Sequence, residues 1–110
     1  MNRSAKFVVV VLLAVSNLGV LPGIAQASTT VRARANHSWS PGTASIAQNG
    51  KIVWKNPTSV SHTVTSTSSN WSKDVTLSAG SQTSFTFRHT GTFRYKCTIH
   101  AGMTGKIVVQ

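Results

Sequence analysis

From Thr43 to Gln110 the chain is cut into short runs in which apolar and polar residues alternate, each bounded by glycine, asparagine, proline or serine. Alternation of period two sends successive side chains to opposite faces of a strand, so runs this short predict a half-buried antiparallel sheet protein with close turns. No stretch repeats at helical spacing. The candidate strands are Thr43 to Ala47, Lys51 to Lys55, His62 to Ser66, Gln82 to Arg88, Gly91 to Cys97 and Gly105 to Val109. Asn49-Gly50 combines two residues that tolerate positive φ, which predicts a tight turn and a hairpin between the first two strands. Residues 28 to 35 read as a frayed or edge-strand start. Thr65 to Ser72, rich in serine and threonine, reads as a surface loop or irregular crossover anchored by Trp71. The expected fold is all-β, either a two-sheet sandwich or a small barrel.

Alternation also assigns faces. Phe85 and Phe87 share one face, as do Phe93, Tyr95 and Cys97, which points Cys97 inward at a strand end. It is the only cysteine, so an internal disulfide framework and any multi-thiolate zinc or iron-sulfur site are excluded. Asp74 is the only acidic residue, which removes catalysis by paired carboxylates. A catalytic thiol with His62 or His100 as base is disfavoured because Cys97 faces inward and no acid is available to orient the imidazole.

The first residues, Met-Asn-Arg-Ser-Ala-Lys, carry positive charge, Phe7 to Val15 is apolar, and Ala25-Gln26-Ala27 ends in small residues. That order predicts a secretory signal peptide over residues 1–27, cleaved before Ser28, with one domain over 28–110 and an exported product, periplasmic or extracellular. An uncleaved anchor is the minor alternative, since Asn17, Gly19 and Pro22 interrupt a stretch that barely reaches spanning length. No membrane insertion is expected after cleavage. An exported chain with one unpaired thiol needs that thiol protected, by burial or by a metal bond.

The neighbours of Cys97 bear on that choice. Cys97, His100 and Met103 lie on one short turn after a strand, and His62 opens another strand after the Asn56-Pro57 break. Taken alone, Cys97 is an ordinary buried apolar residue, His100 a loop histidine and Met103 a core filler. Taken together, two imidazoles, a thiolate and a weak thioether form the ligand set expected of a mononuclear blue-copper electron-transfer site. His62 is the least constrained by local sequence. His37 and His89 read as surface residues, and Trp39 and Trp54 as packing.

Several stretches carry a family resemblance: Asn36-His37-Ser38-Trp39-Ser40-Pro41, Gly50-Lys51-Ile52-Val53-Trp54-Lys55-Asn56, His62-Thr63-Val64, Gly91 to Cys97, and Met103 to Val109. Over about Val31 to Gln110 the chain resembles the cupredoxins, the blue copper proteins of plastocyanin and amicyanin type, and the short Cys-x-x-His-x-x-Met loop is closer to the amicyanin form. The resemblance implies an antiparallel two-sheet Greek-key sandwich and one copper ion cycling between Cu(I) and Cu(II). It further implies His62, Cys97 and His100 as strong ligands, Met103 as a long axial one, and electron exit at the edge of His100. Thr63 departs from the asparagine common beside the first histidine, so a bond bracing the cysteine loop must come from a hydroxyl or be absent.

The functional expectation is therefore a monomeric one-electron carrier between redox proteins, not an enzyme. A copper-binding or copper-delivery protein of the same fold is the alternative, disfavoured because Met103 is the only methionine left after the leader. The formal charge is +10, or +8 once Arg3 and Lys6 leave with the leader. Its scattered placement and export argue against nucleic acid, and leave docking to an acidic partner, attachment to an anionic envelope, and plain solubility open.

Overall fold

The structure is a computed structural model that describes residues 27–110, so the signal peptide read from the sequence lies outside the described residues except for Ala27. Nine strands follow one another: β1 Ser28–Ala33, β2 Trp39–Ser40, β3 Thr43–Ile46, β4 Lys51–Lys55, β5 His62–Ser66, β6 Asp74–Leu77, β7 Gln82–Thr86, β8 Gly91–Lys96 and β9 Thr104–Val109. They form two sheets, one in the order β2-β1-β4-β7 and the other β3-β9-β8-β5-β6. Each sheet carries one parallel pair, β1 with β4 and β3 with β9, among otherwise antiparallel neighbours. Among the described residues no helix is long and apolar enough to cross a membrane.

The two inner faces meet in an aromatic-rich core. Val31, Ile52 and Trp54 come from one sheet, and Val64, Leu77, Phe93, Tyr95 and Ile107 from the other, all nearly or fully buried. Trp54 stacks against Trp71 with ring centroids 6.1 Å apart and meets Tyr95 edge-on at 5.5 Å, so large rings fill much of the space between the sheets. Trp71 anchors its loop as expected, buried and donating its indole N–H to the Arg94 carbonyl at 2.9 Å. Gly105 is required by this packing: a Cβ there would overlap the Tyr95 ring and hydroxyl.

Two expectations are corrected. Asn49 does adopt a φ of 71°, and Gly50 N–H bonds to Ala47 C=O at 2.9 Å, so the tight turn exists. The strands it joins do not form a hairpin, because β3 pairs with β9 while β4 pairs with β1 and β7 in the other sheet. The turn carries the chain between sheets. The segment read as a frayed start is β1, a strand paired on both sides, since its alternating Val31 and Ala33 reach the core.

Candidate metal centre

Three elements deliver the chemistry to one end of the five-stranded sheet. β8 alternates exposed and buried residues through Lys96, and the next residue, Cys97, continues the buried series of Phe93 and Tyr95. The chain then reverses over a loop tied at its base by Cys97 N–H to Met103 C=O at 2.8 Å, with Met103 N–H to His100 C=O at 3.3 Å. Gly102, at a φ of 80°, occupies the third position of that turn, where a left-handed backbone is required. Met103 is buried ahead of β9, and His100 stays half-buried at the loop crest. From β5, the neighbouring strand, His62 enters fully buried.

One ligand atom from each of His62, Cys97 and His100 lies within 4.8 Å of the other two. Cys97 Sγ stands 3.6 Å from His100 Nδ1, and the Thr63 N–H points at the sulfur from 3.3 Å. Thr63 and Thr98 supply the cross-brace in place of an asparagine: Thr98 N–H bonds to Thr63 Oγ1 at 2.8 Å, and the two hydroxyls lie 3.1 Å apart. The bracing hydroxyl is thus present.

The buried His62 is oriented by a chain of bonds the sequence did not reveal. Asn56 Nδ2 donates to the Val60 and Leu77 carbonyls at 2.8 and 2.9 Å, which fixes Asn56 Oδ1 as an acceptor. The Thr58 hydroxyl donates to that oxygen at 2.6 Å, and its other acceptor contact is the Val60 carbonyl at 3.1 Å. With its single proton committed, Thr58 Oγ1 can only accept from His62 Nε2, 2.9 Å away. His62 therefore carries its proton on Nε2 and a lone pair on Nδ1. That Nδ1 is buried and has no hydrogen-bond partner. Burial, with the His100 and His37 imidazoles nearby, holds the His62 pKa below the usual histidine value and keeps the ring neutral.

A buried orphan nitrogen, a sulfur with an amide donor and a second imidazole within 4.8 Å fit a metal ion of intermediate softness. Two imidazoles with one thiolate suit copper, which retains that mixed set in both oxidation states. Fold and site together describe a β-sandwich that gathers one thiol and two imidazoles where they could hold a metal ion.

The comparisons with known proteins agree. The family model of copper binding proteins of the plastocyanin/azurin family matches residues 25–110, and the chain belongs to that family. A reduced amicyanin mutant superposes with a TM-score of 0.69 at 24% identity, covering 84% of this chain and 87% of that one. A second amicyanin mutant, in its Cu(I) form, gives 0.70 at 23%, covering 76% and 82%. A purple cupredoxin from Nitrosopumilus maritimus gives 0.68 at 21%, covering 74% and 99%. Comparison with the sequences of curated proteins finds no match. At family level the chain is a copper-binding electron carrier and not an enzyme.

Of the residues expected at the site, His62, Cys97 and His100 converge, and Met103 lies buried with its carbonyl bonded to the Cys97 N–H. His89 is exposed, and Trp39 and Trp54 are core residues, as expected. Sequence reasoning missed Thr58 and His37. Thr58 follows Asn56-Pro57 in a loop, where nothing local distinguishes it from other threonines. His37 is exposed, but its ring lies against His100.

Proposed function

We propose that this chain is an exported type 1 copper protein that passes single electrons between redox proteins, with His62, Cys97 and His100 as the strong ligands and Met103 as the weak axial one. The convergence of one ligand atom from each of His62, Cys97 and His100 within 4.8 Å carries the reading, and the buried His62 Nδ1 without a hydrogen-bond partner supports it. When bound, copper supplies the electron step by cycling between Cu(I) and Cu(II).

The protein's part is to hold the donors still and to offer a route out. His62 is locked through Thr58 and Asn56, and the Cys97 loop through Thr63, Thr98 and Met103. Rigid donors limit the rearrangement that accompanies a change of charge. Val60, just before His62, and Ile99, beside His100, are the large apolar side chains that stand exposed among the described residues. Ile99 adjoins the half-buried His100 in the chain, so a partner would meet an apolar side chain beside the more exposed of the two proposed imidazole ligands. Residues 1–27 are proposed as the signal peptide, with the domain over 28–110, a periplasmic or extracellular site of action, and no lasting membrane insertion. Acidic redox partners suit the surplus of cations.

Addition of Cu(II) to the chain should give an intense blue colour at one copper per chain, and Cys97→Ser should abolish it. Tight copper binding without colour would replace the carrier reading with copper storage or delivery.

A further inference from the structure

His37 lies outside the four proposed ligands and is exposed, yet its ring lies nearly flat on that of His100, with centroids 3.8 Å apart and planes at 25°. It also meets His62 edge-on at 6.2 Å. The turn between β1 and β2 builds this contact. Arg34 N–H bonds to Ser38 C=O at 2.9 Å, His37 N–H to Arg34 C=O at 3.0 Å, and the Ser38 hydroxyl to Asn36 Oδ1 at 2.6 Å. The tight reversal leaves His37 at a φ of 60°, a left-handed conformation that residues with a side chain seldom adopt. Backbone of this kind persists where its surroundings over-determine it, and it gathers at functional sites.

The two imidazoles at the centre are held by different means. His62 is buried and its outer nitrogen is fixed by Thr58. His100 is half-buried on a loop, and among the described residues its ring has one hydrogen-bonding contact, with Cys97 Sγ. What lies on its face is the ring of His37. The clamp also spans the fold, because His37 is carried by the four-stranded sheet and His100 follows β8 of the five-stranded one.

We propose that His37 is a positioning residue for His100, its stacked ring giving that imidazole the fixed orientation that the Thr58 hydroxyl gives His62. This rests on the reading of the site as a copper centre. The more exposed imidazole is the one free to swing out of place, and a ring packed on its face blocks that motion.

Two full-length variants test it, His37→Ala and His37→Phe. Both put a side chain at the same φ, so backbone strain is common to them, while phenylalanine keeps the stack. Transfer of Cu(I) from loaded protein to bicinchoninate, at one fixed pH, should run about two- to tenfold faster in the alanine variant, the range an aromatic pair is worth. The phenylalanine variant should stay within about twofold of the parent, as an equivalent ring pair predicts. In the metal-free proteins, ring current from the facing ring should shift the His100 ring protons upfield in the parent and the phenylalanine variant, and not in the alanine variant. Release from His37→Ala at the parent rate, or from His37→Phe as fast as from His37→Ala, overturns the proposal. Loss of the upfield shift from the parent spectrum does the same without reference to copper. A parent protein that takes up no copper, yet keeps that shift, fails the reading of the site itself and takes the positioning role with it.

Discussion

Thr58→Val preserves the shape of a side chain and deletes one oxygen, which makes it the sharpest probe of how the centre is prepared. Asn56 keeps both of its Nδ2 bonds and still accepts from the Thr58 N–H at 3.0 Å, so the loop retains its frame. What disappears is the acceptor 2.9 Å from His62 Nε2, on a residue with no exposed surface. A buried donor left without a partner costs about 1–3 kcal/mol. The ring can escape part of that cost by moving its proton to Nδ1, but Nδ1 is the nitrogen with the free lone pair, so escape removes a metal donor. Loss of an outer partner of a ligating histidine weakens metal binding by about 10- to 100-fold. Copper competition titrations should show a loss in that range. Long-range nitrogen-proton spectra of the metal-free protein should show His62 protonated at Nε2 in the parent and a mixed or reversed tautomer in the variant. Thr58→Ser, which retains the hydroxyl, should behave as the parent. If the valine variant keeps the Nε2 proton and parental copper affinity, or the serine variant is equally impaired, the bonding chain from Asn56 through Thr58 does not prepare His62.

Two further predictions concern ionisation. Burial first, then the His100 and His37 imidazoles, lower the His62 pKa. An unfolded histidine takes its proton near pH 6.5, so below that pH the unfolded chain binds more protons than the folded one. Thermal melts of the metal-free protein should therefore lose stability as pH falls from about 6.5 until the folded-state pKa is passed, and His62→Gln should flatten that limb; a melting temperature that rises with acid in this window would contradict it. Burial pushes Tyr95 up to about 12, opposed in part by the Trp54 indole, and the hydroxyl makes no well-formed hydrogen bond. Stability from this group is complete below about pH 10 and falls as pH rises towards 12, by roughly 2–3 kcal/mol in all. Tyr95→Phe should be neutral or slightly stabilising at pH 7, because it removes an unsatisfied hydroxyl, and should remove that alkaline loss. Urea denaturation at the two pH values checks both, and a large loss at neutral pH would show that the hydroxyl has a partner.

Much of the architecture was legible because strand faces are a local property. Lys51–Lys55 and His62–Ser66 appear with the expected limits, and the inward turn of Cys97 follows from the alternation through Phe93 and Tyr95. β6, Asp74–Leu77, escaped notice because its Asp-Val-Thr-Leu run is short and led by a charge. The two-residue β2 has no period to read. The hairpin expected at Asn49-Gly50 failed for a different reason. Turn chemistry fixes that the chain reverses, but which sheet each arm joins depends on partners far away, β9 for one and β1 and β7 for the other.

The sequence by itself determined the β character, the donor types and the loop holding Cys97, His100 and Met103, because alternation, turn residues and short-range spacing act within a few residues. It left His62 an unanchored donor. Only the tertiary structure decided that β5 lies beside β8 and brings His62 to Cys97, that Thr58 selects the tautomer of His62, and that the β1–β2 turn lays His37 on His100. These are contacts between side chains on different elements, set by how two sheets pack. No pattern within a single segment encodes them.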